Sequence, residues 1–516
     1  AFVQAASAWP HPVIDALSGP VPYSVAVGAV AAAQPAPKAL PTGGQVSAGQ
    51  ARINSSGGNM VVQQGTDRAA INWQTFNVGK DAQVQFQQPN AASVTLNRVM
   101  SSDPSQIFGR ITSNGQVVLS NPAGVYFGKD SRVDVGGLVA TTHGISDADF
   151  MAGKNRYERN GSTGSVINEG ELKAALGGYI ALLAPEVRNQ GAIIAQMGTA
   201  ALAAGEAIDL KFDSNNRLTS IRVEPSQIQA LVDNQHAVQA PGGLIILSAQ
   251  SMDRLLGGVV KNSGKVEASG LKSQGGRIIL SASKKVENTG TVSANAATAS
   301  NPAESDPAGQ IEISAPEVVN SGTISAAGSV DGTAASKMHS AGLVHIEATN
   351  FTQTDSGLID VSAARQGGKL SIQATGKVEL QGKVDASAKN NNSQPDASPA
   401  ATPAPVPETL SQGGDIEVNA GGDIEINHAT LDASGDRGGR IQLRAAAPVE
   451  PGNPQPLPDA PGQGRLAMMG NSTLSVRGRQ GQGGTAHLLG DHLDLLDTSK
   501  IDASGVTGVR AQREAQ

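Results

Sequence analysis

Six acidic residues could supply the carboxylates of a polysaccharide-cleaving site. Such sites use clustered Asp or Glu side chains that project from one face of neighbouring elements. The candidates are Asp209, Asp213, Asp415, Glu417, Asp423 and Glu425. The last four alternate with apolar residues, which is the ordinary pattern of a strand with one solvated face. The pattern favours a structural role, and an enzyme acting on extracellular polysaccharide stays open as an alternative.

Other catalytic and metal-binding patterns are missing from the sequence. His487 and His492 lie five residues apart with no third ligand nearby, and residues 413–425 lack the spacing of a calcium-binding repeat. The chain has no Cys, which excludes a thiol nucleophile, a Cys-ligated zinc site and a disulfide framework. No Walker loop, Gly-x-Ser-x-Gly or His-Glu-x-x-His motif occurs. We therefore expect no catalytic residue, no metal and no cofactor.

The composition is typical of a repetitive chain with a thin core. Its 516 residues include 62 Gly but only 3% aromatic residues. The 38 Lys and Arg residues are outnumbered by 45 Asp and Glu residues, and the net charge of -7 argues against a nucleic-acid-binding protein. No window approaches the run of about 18 apolar residues that a membrane-spanning helix needs.

Two short units recur from Val166 onward, and both predict strands. The first has the order apolar, any, Asn, any, Gly, any, apolar, any, Ala, as in VKNSGKVEA (260–268). The second begins Gly-Gly and then alternates apolar residues before an Ala, as in GGRIILSA (275–282) and GGRIQLRA (438–445). Period-two alternation bounded by Gly or Asn predicts short strands, and no helical pattern separates them.

These repeats predict an all-β fold, a β-solenoid whose parallel strands stack roughly 4.8 Å apart from turn to turn. We expect residues 45–505 to form one continuous parallel β-helix with turns of roughly 20–33 residues. Inward Val, Ile, Leu and Ala would form its core. Ser226, before an Ile/Leu/Val pattern, predicts a helical turn near 225–232. Long excursions are expected in three spacers, namely 297–308, 390–411 and 446–463.

Six asparagines occupy the same position of the first unit. They are Asn168, Asn189, Asn234, Asn262, Asn288 and Asn320. Equivalent positions of a solenoid stack, so these side-chain amides would form a ladder in which each residue caps the next turn. The alternative is the simple preference of Asn for turns, without stacking.

The amino-terminal part is less regular, and its motifs resemble a known family. Five of its segments, in order, are INWQTFNVG (71–79), VQFQQPNAASVTLNRV (84–99), PSQIFGRI (104–111), GQVVLSNPAGVYFG (115–128) and VGGLVATT (135–142). Over about residues 40–270 the chain resembles the filamentous-haemagglutinin-like secretion domain of bacterial two-partner secretion exoproteins. The resemblance implies a right-handed parallel β-helix that is capped at its amino end by extra strands. It also implies recognition by a dedicated outer-membrane β-barrel transporter.

The resemblance also points to a set of secretion-motif residues. They are Asn97, Arg98, Asn121, Pro122, Gly124, Phe127 and Gly128. The family's Asn-Pro-Asn-Gly stands here with Ala123 at its third position, so one amide is lost. Asn-Pro-x-Gly is a type I or type II turn, in which Pro sets φ and Gly accepts a positive value. Two roles remain open: a turn that folding requires, and a direct contact with the transporter.

The resemblance and the repeats together divide the chain into four parts. They are a leader or signal remnant (1–39), a secretion domain (40–270), a β-helical stalk with Pro-rich insertions (271–505) and a tail (506–516). We expect a secreted or cell-surface bacterial exoprotein that acts as an adhesin in virulence. Its expected partners are the transporter and a receptor on host cells, bacteria or matrix, with no nucleic acid. A polysaccharide-acting β-helical enzyme and a cytolysin-type exoprotein are the alternatives.

Overall fold

The part of the chain that the computed structural model describes consists almost entirely of β-strands. This part comprises residues 34–253, 255, 257–271, 275–297, 308–329, 340–389, 410–445 and 464–506. Apart from their boundary residues, the three predicted excursions lie outside it.

The elements of the first half follow one another in short steps along the chain. They are β1 (Gln45–Ala48), β2 (Ala51–Ser56), β3 (Asn59–Gln64), β4 (Arg68–Trp73), β5 (Gln83–Gln87), β6 (Val94–Val99), β7 (Ser105–Ile107), β8 (Arg110–Ser113), β9 (Gln116–Ser120), β10 (Val125–Phe127), β11 (Arg132–Thr141), the helix α1 (Asp147–Met151), β12 (Arg156–Glu158), β13 (Ser165–Asn168), β14 (Glu171–Leu183), β15 (Glu186–Asn189), β16 (Ala192–Ile194), β17 (Thr199–Ala204), β18 (Ala207–Phe212), β19 (Leu218–Glu224), β20 (Ala230–Asn234), β21 (Ala237–Gln239) and β22 (Leu244–Ala249).

The second half of the described chain contains strands only. They are β23 (Gly258–Asn262), β24 (Lys265–Glu267), β25 (Arg277–Ala282), β26 (Lys285–Asn288), β27 (Thr291–Ser293), β28 (Gln310–Asn320), β29 (Thr323–Ser325), β30 (Leu343–Gln353), β31 (Leu358–Asp360), β32 (Lys369–Ala374), β33 (Val378–Asp385), β34 (Asp415–Ala420), β35 (Ile424–Asp432), β36 (Arg440–Ala445), β37 (Arg465–Met469), β38 (Thr473–Ser475), β39 (Thr485–Leu489), β40 (His492–Leu495) and β41 (Lys500–Asp502).

The strands form three parallel ladders, one on each face of a β-helix. Face A contains β4, β6, β9, β17, β22, β25, β32, β34, β36 and β39. Face B contains β7, β10, β13, β15, β20, β23, β26, β37 and β40. Face C contains β3, β5, β8, β16, β21, β24, β27, β29, β31, β38 and β41. The longer strands β11, β14, β28, β30, β33 and β35 bend at a corner and join two faces. The predicted right-handed parallel β-helix is confirmed.

Equivalent residues of the repeat stack from turn to turn along each face. Between β22 and β25, for example, Ile245 lies beside Ile278 and Leu247 beside Leu280. All four side chains are buried in one continuous core that follows the inside of the helix. Removal of this apolar surface from water, at about 25 cal/mol per Å², is the main stabilising contribution.

The amino-terminal turns are closed by antiparallel strands and larger side chains. β1 pairs antiparallel with β4, and β2 pairs antiparallel with β3. Trp73 and Phe76 fill the interior here, with ring centroids 5.5 Å apart in an edge-on arrangement. These strands cover the end of the core, which would otherwise be open to water.

A small antiparallel sheet of β12, β18 and β19 lies against the outside of face A, where the repeats had predicted no element. Together with α1 it covers a second apolar cluster, to which Leu96, Val139 and Ile246 of face A contribute. In the ladder, Ile246 is followed by Ile279 and then by Glu312. The stacked residues on the outer side of face A therefore change from apolar to charged between Ile279 and Glu312.

The prediction of a helical turn near 225–232 is wrong. Ser226 is buried and forms a parallel bridge with Ser251, and its hydroxyl accepts a hydrogen bond from the Ile228 N–H. The hydroxyl therefore caps a tight turn, and the chain then enters β20 because ladder partners are available there. The helix lies instead at α1, where the Ser146 hydroxyl accepts from the Asp149 N–H. In the described part of the chain, no helix is long and apolar enough to cross a membrane.

Candidate functional site

The Asn-Pro-x-Gly turn is held by the side chain of Asn121. Its amide Nδ2 donates to the Asp103 carbonyl and to Ser105 Oγ, both at 2.9 Å, and its Oδ1 accepts from the Ala123 N–H at 3.0 Å. The Asn121 side chain is fully buried, whereas Pro122 is exposed and Ala123 is half-buried. The turn thus presents its Pro-Ala tip to solvent and hides its asparagine.

The turn closes with a hydrogen bond from the Gly124 N–H to the Asn121 carbonyl at 3.0 Å. Gly124 has φ +131°, and Ala123 is not among the described residues with positive φ. A type II turn requires positive φ at the third position, so this geometry excludes type II. The positive φ falls on the fourth residue, where only glycine is free of strain.

Phe127 and Gly128 continue the motif into face B. Phe127 is fully buried, between Ile107 of β7 and Asn168 of β13. A Cβ on Gly128 would lie 2.5 Å from a ring carbon of Phe108, so the glycine lets that ring pack against the backbone.

The Asn97 side chain lies inside the β-helix, one turn before Asn121. Its Oδ1 accepts from Trp73 Nε1 at 3.0 Å, and its Nδ2 donates to the Val118 carbonyl at 3.2 Å. This buried amide satisfies the indole N–H, which would otherwise be an unpaired donor in the core.

Arg98 points outward from the same strand and connects face A to the segment that carries α1. Its guanidinium donates to Asn72 Oδ1 at 2.9 Å and to the Ile145 carbonyl at 2.7 Å, and it lies 2.7 Å from Asp147 Oδ1. Although partial burial raises the pKa of Asp147, hydrogen bonds from Ser47 and Arg98 lower it overall. In the ladder Arg98 lies beside Ser120, so the structure brings both parts of the motif to one end of face A.

The six asparagines of the repeat stack in one column at the end of face B. Each Nδ2 donates to the Oδ1 of the asparagine on the next turn, at 2.8–2.9 Å, from Asn168 through to Asn320. All six side chains are buried. The second N–H of Asn262 donates to the Thr291 carbonyl at 3.2 Å, so it also fastens the corner that follows.

The amide ladder has one further member that the sequence analysis missed. Asn320 Nδ2 donates to Gln353 Oε1 at 3.2 Å, and Gln353 Nε2 donates to the Gln381 carbonyl at 2.9 Å. The signal was present in the sequence, because Gln353 stands two residues after an apolar residue, Phe351, as each asparagine stands two residues after a valine. A search for any side-chain amide would have found it.

The six acidic residues considered for catalysis do not converge in the structure. Ion pairs hold four of them: Asp209 with Arg156, Asp415 with Arg440, Glu417 with Lys369, and Glu425 with Lys377. Asp213 and Asp423 accept backbone hydrogen bonds. In the described residues, no three His, Asp or Glu side chains are grouped to hold a metal ion.

A repeated Asp-x-Ser turn was also missed. At Asp360, Asp385, Asp432 and Asp502 the carboxylate accepts from the N–H of the serine two residues later, at 2.9–3.1 Å. Burial raises the pKa of Asp385, but hydrogen bonds from Ser387, Lys383 and Lys389 lower it to about 2. These turns start the corner between face C and face A.

His143 is a buried titratable residue under the antiparallel sheet. Its Nε2 lies 3.0 Å from the Gly205 carbonyl, in the turn where the chain leaves face A to form β18. Its Nδ1 is buried without a hydrogen-bond partner among the described residues. Burial lowers the pKa of His143 to about 4, against smaller opposite effects of the hydrogen bond with the Gly205 carbonyl and of the Glu206 charge.

Comparisons with known sequences place the amino-terminal half of the chain in a family. The family model of the TPS (two-partner secretion) secretion domain matches residues 37–294. A heme/hemopexin-binding protein of Haemophilus influenzae (strain ATCC 51907 / DSM 11121 / KW20 / Rd) is 32% identical over 224 residues, which are 42% of this chain and 24% of the relative. A second H. influenzae protein with that name is 29% identical over 229 residues, 41% of this chain and 24% of the relative. The chain thus spans about a quarter of the length of these relatives.

Comparison with solved structures agrees on the fold. The crystal structure of the HMW1 secretion domain from H. influenzae superposes with a TM-score of 0.51 at 22% identity, covering 90% of this chain and 98% of that chain. TPS secretion domain proteins are exported across the outer membrane to the cell surface or the medium. The match over half of the sequence, on a capped parallel β-helix, shows that this chain belongs to the TPS secretion domain family and carries the export domain of a two-partner secretion exoprotein.

Proposed function

We propose that this chain is exported by a dedicated outer-membrane β-barrel transporter and that, once outside, its β-helical stalk acts as an adhesin. The observation that carries the first part is the family match over residues 37–294, on a β-helix with a closed amino end. The proposed division is a secretion domain at 40–270 and a stalk at 271–505. The loss of apolar residues on the outside of face A after Ile279 supports a boundary in this region.

The secretion motif acts through the fold in this proposal. Asn121 makes three side-chain hydrogen bonds and is fully buried, so its amide is not accessible to a partner of the folded domain. Within the turn, only Pro122 and Ala123 are open to such a contact. Removal of the Asn121 amide would leave buried polar groups unpaired, at a cost of about 2–4 kcal/mol.

The test compares secreted with cell-retained protein for Asn121→Ala and Gly124→Val. We expect both to be retained in the cell and to melt at lower temperature once purified. Asn121→Ala unpairs buried groups, and Gly124→Val forces a branched side chain to φ +131°. Ala123→Lys, at the half-buried tip, and Asn54→Ala, at an exposed position, are the matched controls.

The outcomes separate the two roles of the motif. Secretion of Asn121→Ala and Gly124→Val at the wild-type level would show that export does not require the motif. If Ala123→Lys is retained but melts as the wild type does, the motif contacts the transporter directly and the folding role is wrong.

The stalk is proposed to bind and not to catalyse. The acidic residues in its described part that were candidates for catalysis are paired or capped, and the related proteins are named for heme or hemopexin binding. A regular polar surface repeated over many turns suits multivalent attachment, because weak contacts add through effective concentration. Multiple-turnover release of reducing or unsaturated ends from pectin, alginate or hyaluronan by purified protein would favour the enzyme instead.

A further inference from the structure

A long polar groove follows the corner between face C and face A in the stalk. Its floor is backbone only, formed by one glycine from each of six successive turns: Gly309, Gly342, Gly368, Gly414, Gly439 and Gly484. Adjacent turns are joined along the floor, as where the Lys369 N–H donates to the Gly342 carbonyl at 3.0 Å. With turns about 4.8 Å apart, the groove extends for roughly 24 Å along the axis.

Two rows of mostly polar side chains form the walls of this groove. One wall follows the bridged residues Gln366, Gln412 and Arg437, and it continues to Gln482, whose carbonyl accepts from the Gly438 N–H at 3.0 Å. The opposite wall follows the face A ladder. Its members in the groove are Gln310, Leu343, Lys369, Asp415, Arg440 and Thr485.

The charge of the groove is positive, although the whole chain is acidic. Lys369, Arg437 and Arg440 line it against a single carboxylate, that of Asp415. Arg440 lies 3.4 Å from Asp415, and Lys369 lies 3.1 Å from Glu417. The exposed Arg437 guanidinium has no hydrogen bond or ion pair with any residue that the structure describes.

The side-chain chemistry limits the kind of ligand. No aromatic side chain is among the described residues that line the groove, so stacking against a neutral sugar ring is not available. Guanidinium groups bind carboxylates and sulfates with paired, charge-assisted hydrogen bonds, and Gln amides both donate to and accept from hydroxyls. An open groove that spans six turns, with cations on two of them, fits an extended polymer better than a small molecule.

We propose that this groove binds an extended anionic polysaccharide along the solenoid axis. Arg437, Arg440 and Lys369 contact its carboxylate or sulfate groups, and Gln366 and Gln412 contact its hydroxyls. The assignment rests on the proposed function, because it names the ligand class of the adhesive stalk.

The experiment measures binding of the purified 516-residue chain to immobilised heparin and polygalacturonate at near-physiological salt. Neutral dextran, poly-glutamate and duplex DNA are the comparison polymers. We expect Arg437→Gln to weaken binding to the anionic glycans roughly tenfold, and the double variant with Arg440→Gln to weaken it further. Arg465→Gln removes the same charge from face B and is the matched control, expected to bind as the wild type does. Thermal unfolding of each variant confirms that it is folded.

The two glycan arms distinguish sulfate from carboxylate recognition, and selective binding in either arm supports the proposal. No binding to either glycan overturns it, as does an equal loss with Arg465→Gln. Binding of DNA or poly-glutamate as strong as that of the glycans would mean simple polyanion attraction and would also overturn it. Cell attachment by the same secreted wild-type protein, without glycan binding, would leave the adhesin proposal standing and refute only this ligand.

Discussion

At the scale of single residues, the sequence was most informative where the same residue type recurs. The six asparagines were found because each stands at the same position of the same repeated unit, and the stacked strands of face B place them in one column. Asn97, Arg98 and Asn121 were found only through a family resemblance. Their partners, such as Trp73 and Asp103, lie on other turns, and nothing local in the sequence indicates those contacts.

His143 is the residue for which no pattern in the sequence gave a signal, and it predicts a pH dependence. The folded protein holds His143 neutral down to about pH 4, whereas the unfolded chain binds a proton near pH 6.5. Between these values the unfolded state carries more protons, so stability falls as the pH falls through this window. The loss attributable to His143 is up to about 3 kcal/mol.

Denaturant unfolding at pH steps from 7 to 4 checks this expectation. His143→Gln keeps a donor for the Gly205 carbonyl but does not titrate, so its stability should change less over this range than that of the wild type. His236→Gln, at an exposed position, should follow the wild type. An unchanged pH dependence in His143→Gln would show that His143 is not the group responsible.

At the scale of the elements, the alternation of apolar residues predicted the strands and the glycines predicted the corners. No sequence pattern predicted the antiparallel sheet. β12 is short and distant in sequence from its partner β18, and β18 and β19 form a hairpin that lies outside the repeat. The helix α1 was missed although Ser146 and Asp149 form a capping pair, because only five residues follow the cap. The proposed boundary of the secretion domain likewise depends on which outward-facing residues of face A stack on one another, and this stacking is known only once the strand register is known.

The asparagine column predicts a large loss of stability from one substitution in the middle of the column. Asn262→Ala leaves Asn234 Nδ2 without its acceptor and Asn288 Oδ1 without its donor, both in buried surroundings. We expect a destabilisation of about 2–4 kcal/mol. Hydrogen exchange of β20, β23 and β26 should become faster, and the thermal midpoint should fall.

The matched control for the column is Asn54→Ala in β2, where the side chain is exposed. It should change the stability by no more than about 0.5 kcal/mol. If Asn262→Ala exchanges and melts as the wild type does, the amide column contributes nothing measurable to the fold.

At the scale of the whole molecule, contacts connect only neighbouring turns, and this predicts that damage stays local. Leu443 is fully buried and lies between Val418 and Leu488 of the adjacent turns. Leu443→Ala should cost about 2–5 kcal/mol and speed hydrogen exchange in β34, β36 and β39. Exchange in β4, β6 and β9 should stay at the wild-type rate.

Leu119→Ala in β9 is the reciprocal variant, since its side chain is also fully buried in the same continuous core. Hydrogen exchange should become faster in the amino-terminal turns and should stay at the wild-type rate in β36. A uniform increase in exchange over the whole described chain, in either variant, would mean that the solenoid unfolds as one cooperative unit.

The direction of the ladder hydrogen bonds has a mechanical consequence. The strands lie across the solenoid axis, so the bonds between turns run along it, as between Gly414 and the Arg440 N–H at 2.9 Å. Tension applied between the two ends therefore loads the last turn first, and that turn peels away alone. When a turn of about 25 residues unfolds, the solenoid shortens by roughly 4.8 Å and roughly 80 Å of extended chain is released. A bound rod of this kind lengthens in steps under shear and limits the force on its attachment.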